Sequence, residues 1–213
     1  MESASVPLPH GAGGHAAEHE HHGPPEANQS SRIDRQTLGI LLFIISEVML
    51  FGSFFASYFF LRVVVNPAAW PPHPFELPVG VAGMNTAILV SSSFTIHYAL
   101  EGIRKGNKQA MKLGLALTWL LGLTFLFVQI NEYVHLGFSI RTESFGTIFY
   151  SLTGLHGAHV FIGLTLLTAA TIRAFRGHFD KEPEKHLGVE VPGIYWHFVD
   201  IMWIIVFATV YIL

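Results

Sequence analysis

Apolar residues gather in five long runs along the chain, approximately Thr37–Leu61, Met84–Ile103, Leu113–Asn131, Phe145–Ile172 and Val191–Leu213, parted by short polar stretches. Each run is about 19 to 28 residues, and crossing the hydrocarbon of a bilayer takes about 20 residues of α-helix. Helix is the expected form, because lipid offers no partner to a backbone N–H or C=O and an open strand edge stays unpaired. The segment Trp70-Pro71-Pro72-His73-Pro74 cannot continue a helix and marks a loop. No internal repeat of the kind that builds transporters from inverted halves is visible. The pattern predicts an all-α integral membrane bundle of five transmembrane helices.

Basic residues give this bundle a direction. Arg32 and Arg35 precede the first run; Arg104, Lys105, Lys108 and Lys112 lie around the second junction; Arg173, Arg176, Lys181 and Lys185 lie around the fourth. The other two junctions hold only Arg62 and Arg141. Lys and Arg collect on the cytoplasmic side of membrane proteins, so the N-terminus is expected in the cytoplasm and the C-terminus outside. Residues 1–35 read as a disordered, solvated cytoplasmic tail, with His10, His15, His19, His21 and His22 among Gly, Pro, Glu and Ser. A sharper alternative is a weak metal-binding tract around His19, His21 and His22. The tail has no apolar core of a secretory signal. The organisation expected is this tail followed by a membrane domain over 36–213.

Composition removes several classes of function. Hydrophobic residues make up 51% and charged residues 13%, against roughly 25% charged in a soluble domain. The mean hydropathy of +0.45 points the same way. Twelve Lys and Arg against 15 acids, a net charge of −3, give no footprint for nucleic acid. The absence of Cys excludes disulfides, thiolate metal sites and a thiol nucleophile.

What remains to be explained is the set of ionisable groups inside the runs, each of which costs about 2.5 kcal/mol or more near the bilayer centre. Glu47 sits in the first helix, in Ile45-Ser46-Glu47-Val48. His156 and His159 share a face of the fourth, with Gly154, Gly157 and Gly163 expected to let another helix approach. His197 and Asp200 share a face of the fifth. Counting along the helices puts Glu47 and Asp200 at similar depth in the inner half, and the His156–His159 pair nearer the midplane or outer half. Glu132 and Tyr133 are expected at the outer interface, with Gln129 and Asn131 as interhelical hydrogen-bond donors. Ser91, Ser92, Ser93 and Thr95 read as a packing face, while His97, Arg173 and Arg176 are candidates to meet lipid headgroups. Three chemistries fit the His and acid set: a metal or haem site, a proton pathway, or hydrogen bonding that fixes helix packing. The paired Glu-x-x-His motifs of di-iron bundles are absent.

These segments, taken in order, resemble subunit III of the haem–copper oxidases, most closely the cytochrome c oxidase type. The resemblance is carried by Ile44-Ile45-Ser46-Glu47-Val48, Trp70-Pro71-Pro72, Glu76-Leu77-Pro78, Asn131-Glu132-Tyr133, Thr153-Gly154-Leu155-His156-Gly157-Ala158-His159-Val160 and Tyr195-Trp196-His197-Phe198-Val199-Asp200. It covers roughly residues 36–213 and corresponds to a five-helix form lacking the first two helices of longer, seven-helix members. The resemblance implies an accessory subunit of a proton-pumping terminal oxidase in aerobic respiration, in a bacterial inner membrane. Such a subunit holds no metal or other redox cofactor, packs against subunit I beside subunit II, binds phospholipid, and helps sustain proton uptake and turnover stability; haem and copper belong to the partner subunits. It makes Glu47 the proton-linked buried carboxyl, and His156, His159, His197, Asp200 and Glu132 an intramembrane polar network. Sibling readings are subunit III of a quinol oxidase, which carries Asp at the position of Glu47, and an accessory protein of nitric oxide reduction. A stand-alone membrane metalloenzyme is the reading from a different class.

Overall fold

The computed structural model describes residues 35–65, 70–72, 75–179 and 187–213. The expected tail over 1–35 therefore lies outside the described residues apart from Arg35, which opens the first helix. Five helices follow in order: α1 Arg35–Phe60, α2 Val79–Arg104, α3 Lys108–His135, α4 Glu143–Phe175 and α5 Leu187–Phe207. Both α1 and α5 run on into a π-helical turn, Leu61–Val65 and Ala208–Ile212. All five are long and apolar enough to cross a membrane, and there is no strand among the described residues.

The helices begin earlier than the apolar runs do. α2 starts five residues before Met84, directly after Pro78, whose carbonyl accepts from Ala82 N at 3.0 Å. α3 also starts five residues early, because the Asn107 side chain accepts from Ala110 N at 3.1 Å and caps a polar first turn. Hydropathy cannot see that turn, which opens with Lys108 and Gln109. α5 starts at Leu187 and carries Pro192 near its beginning, where the missing N–H frees only the Gly188 carbonyl.

Arg104, Lys105, Lys108, Lys112, Arg173 and Arg176 collect at one end of the bundle, where Lys112 Nζ lies 5.9 Å from the Phe175 ring. We call this the basic end. α2 and α3 form an antiparallel hairpin in close contact: a Cβ on Gly114 would lie 2.7 Å from Ala99 Cβ, and one on Gly102 would lie 2.7 Å from Met111 N. Thr95 and Thr118 hydroxyls meet across the hairpin at 2.8 Å. Trp196 of α5 fills the space left by Gly122 of α3 and Gly163 of α4, where added Cβ atoms would come within 2.4 and 2.8 Å of its ring. Its Nε1 donates to Ser92 Oγ of α2 at 2.8 Å, so one side chain ties α5 to three helices. Gly163 thus provides the close approach expected of it. Gly154 and Gly157 do not, since a Cβ at either meets nothing within 4 Å.

α1 is the outlier. It packs on α4 and α5, and of its residues only Phe51 and Tyr58 are buried. Leu42, Ile45, Val48, Met49 and Phe60 are exposed, an apolar surface suited to lipid or to another membrane helix. At the end opposite the basic one, Tyr58 OH donates to the Thr209 carbonyl at 2.9 Å and accepts from Trp70 Nε1 at 3.0 Å. Trp70 stands edge-on to Phe145, which anchors the Trp70–Pro72 loop segment to α4.

Candidate functional site

Glu47 projects from α1 toward α4, where its Oε2 lies 2.8 Å from Nε2 of His159. The other ring nitrogen, Nδ1, is 2.8 Å from the Leu155 carbonyl one turn back on α4. A carbonyl only accepts, so Nδ1 carries a proton. One proton then lies between Nε2 and Oε2. Placed on the ring it makes imidazolium and carboxylate; placed on the oxygen it makes neutral imidazole and carboxylic acid. Both forms are neutral overall, which removes most of the cost of an ionisable group in lipid. The side chains are 17% and 7% exposed, with Phe51 beside the His159 ring at 5.0 Å between centroids. The contact places His159 at the depth of Glu47, not farther toward the outer half. Counting along separate helices cannot register one helix against another, which the Glu47–His159 contact does directly.

Asp200 lies elsewhere, on the α2 side of α5. Its Oδ2 accepts a hydrogen bond from Ser93 Oγ, and Oδ1 is buried without a partner. His197, one turn earlier, has Nδ1 3.4 Å from the same Ser93 hydroxyl. His156 is fully buried with neither ring nitrogen hydrogen-bonded. It lies against Trp203 at 4.7 Å and meets Phe125 edge-on at 5.8 Å, packed among aromatic rings. Glu132 is 5% exposed rather than open at an interface, and its Oε1 accepts from Tyr211 OH at 2.6 Å. Gln129 is buried near the hydroxyls of Tyr133 and Tyr211 but outside hydrogen-bond geometry, and Asn131 is exposed. Neither makes the interhelical bond expected of it.

The five residues read as one network are thus distributed over separate places. His159 belongs with Glu47, His197 and Asp200 share Ser93, Glu132 belongs with Tyr211, and His156 stands among aromatic rings. Arg173, Arg176 and His97 are exposed, the two arginines at the basic end. Sequence reasoning missed Tyr211, whose only signal was a hydroxyl closing an apolar helix, and it read Ser93 as packing alone. Among the described residues no three His, Asp or Glu side chains converge as metal ligands. The geometry supports proton sharing: three carboxyls within the helices, Glu47, Asp200 and Glu132, are each hydrogen-bonded to a group able to exchange a proton.

A family model described as cytochrome c oxidase subunit III matches residues 26–213. The chain is 42% identical over 199 residues to cytochrome c oxidase subunit 3 of Thermostichus vulcanus, covering 93% of this chain and 92% of that protein. It is 38% identical over 197 residues to the Synechocystis protein of the same name, covering 92% and 79%. The rabbit (Oryctolagus cuniculus) protein is 37% identical over 182 residues, covering 81% of this chain and 67% of its own length.

Proposed function

Since the chain belongs to the cytochrome c oxidase subunit III family, we propose that it works as an accessory, non-redox membrane subunit of a proton-pumping cytochrome c oxidase. The observation that carries the reading is the Glu47–His159 pair: a proton-sharing couple that joins the rim helix α1 to α4, with Glu47 the more exposed of the two. Haem and copper belong to the partner subunits. This chain contributes a packing surface for subunit I, with subunit II in the same complex, binding sites for phospholipid, and support of proton uptake and turnover lifetime. Glu47 is the proton-linked carboxyl in this reading, with its proton shared with His159. Exposed Arg173 and Arg176 at the basic end, and exposed His97 on α2, are suited to anionic headgroups. The basic end faces the cytoplasm of a bacterial cell and the opposite end faces outward.

The names of the relatives favour the cytochrome c type over the quinol and nitric oxide siblings. The stand-alone metalloenzyme loses its donor set, because Glu47 and His159 engage one another and His156 points its ring into an aromatic cage. Purification through a tag on this chain tests the assignment. The expected result is co-purification with a haem-bearing and a copper-bearing subunit and a haem spectrum belonging to them. A chain that purifies alone, consumes oxygen and carries its own chromophore overturns it.

A further inference from the structure

The helices α2 and α5 meet along a line of polar groups that the Glu47–His159 pair does not use. We propose that this line is a proton-exchange path from the basic end of the bundle to the buried carboxyl of Asp200. At its mouth Arg104 of α2 holds Glu190 of α5, with Nε and Nη2 both on Oε1 at 3.1 and 2.8 Å. Farther in, Leu100 covers Gly193, where a Cβ would lie 3.1 Å from Leu100 Cδ1. On α2 the residues Lys105, Glu101, His97 and Ser93 recur every fourth position and so form one stripe. Lys105 Nζ binds Glu101 Oε1 at 2.6 Å, and His97 is exposed. On α5 the facing residues are Glu190, His197 and Asp200, and His97 stands one turn before Ser93 on the α2 stripe. From Lys105 to Ser93 the stripe runs roughly 18 Å along α2 at 1.5 Å per residue.

Packing alone gives no reason for this sequence of groups. An apolar pair of helices needs no ionisable groups in its interior, and His197 and Asp200 are the costly ones, since the outer charges lie at the exposed basic end. The inner end has an acceptor ready: Asp200 is 3% exposed and its Oδ1 is unpaired. The link before it is a hydroxyl, which accepts and donates at once. When His197 is imidazolium, its Nδ1–H breaks as Ser93 Oγ takes the proton, and the Ser93 O–H breaks as its own proton passes to Asp200 Oδ2. The products are a neutral imidazole, an intact serine and a carboxylic acid. Before the transfer His197 takes its proton from the His97 side, supplied by solvent at the basic end, and the relay regains its starting state only when Asp200 returns the proton through Ser93 to neutral His197. Reversal of the same steps releases the proton. The path needs nothing of the oxidase assignment, because it lies wholly within this chain.

Infrared spectroscopy of the complex in which the chain is isolated, after a rapid change into deuterated buffer across the neutral pH range, tests it. The carboxylic C=O band lost in Asp200→Asn identifies the group. That band is expected to shift on deuteration in the parent and in Ser93→Thr, which keeps the hydroxyl. In Ser93→Ala and in His97→Phe it is expected to shift about tenfold more slowly or slower still. His97 is exposed, so its variant probes the path without disturbing the interior. Glu47→Gln is expected to leave the Asp200 band exchanging at the parent rate, which separates this path from the Glu47 carboxyl. Parent-rate exchange in both Ser93→Ala and His97→Phe overturns the proposal, as does the absence of any carboxylic band attributable to Asp200.

Discussion

Two histidines three positions apart on α4 show how far neighbours can differ in chemistry. His159 is held at both nitrogens, by the Leu155 carbonyl and by Glu47, whereas His156 is held at neither. Replacing His159 by Phe leaves Glu47 in the membrane without a partner. Removing both groups together, as Glu47→Ala with His159→Phe, leaves an apolar contact. The double variant is therefore expected to be more stable than His159→Phe alone, with a coupling of about 1–3 kcal/mol. Thermal unfolding of the purified complex for the four combinations measures this, and additive effects refute the pairing. The role proposed for Glu47 predicts in addition that Glu47→Ala keeps the assembly intact but shortens its lifetime during turnover; equal lifetimes count against that role. His156 carries the opposite expectation. With no hydrogen bond to lose and aromatic neighbours on both sides, His156→Phe should change stability by less than about 1.5 kcal/mol, read by the same unfolding experiment.

At the scale of elements, glycine content alone misleads. Gly154 and Gly157 stand beside the histidines in a motif that suggests close helix packing, yet both face open space; Gly122 and Gly163 touch Trp196. Gly122→Ala and Gly163→Ala force the indole to move and are expected to cost about 1–3 kcal/mol each. Gly154→Ala and Gly157→Ala should be neutral or stabilising, since alanine is the better helix former by about 1 kcal/mol. Melting temperatures of the four variants in the assembled complex decide between these outcomes. The existence of all five helices was legible from length and hydropathy, and the Thr95–Thr118 contact agrees with the polar packing face expected on α2. Their starts were less legible, because a polar capped turn at Asn107 and a turn after Pro78 belong to the helix without adding apolar weight.

For the whole molecule, the arrangement of charge predicts topology. The chain has no native Cys, so single cysteines report sidedness directly. In intact cells a membrane-impermeant thiol reagent should label Ile140→Cys, at the end opposite the basic one. It should reach His178→Cys only after permeabilisation, and the reverse result overturns the orientation. α1 is the helix whose stability depends most on what surrounds the bundle, since Phe51 and Tyr58 alone among its described side chains are buried. By itself the amino-acid sequence determined the number of spans, their helical form and the resemblance to subunit III, because bilayer thickness and backbone hydrogen bonding leave few other solutions for five such runs. It also marked which carboxyls and imidazoles needed explanation. Only the tertiary structure decided their partners. Whether Glu47 meets His159 or Asp200, and whether a glycine faces a tryptophan or lipid, depends on the rotation and offset of one helix against another. Those offsets are set by side-chain packing among residues far apart in the chain, which hydropathy along a single helix does not record.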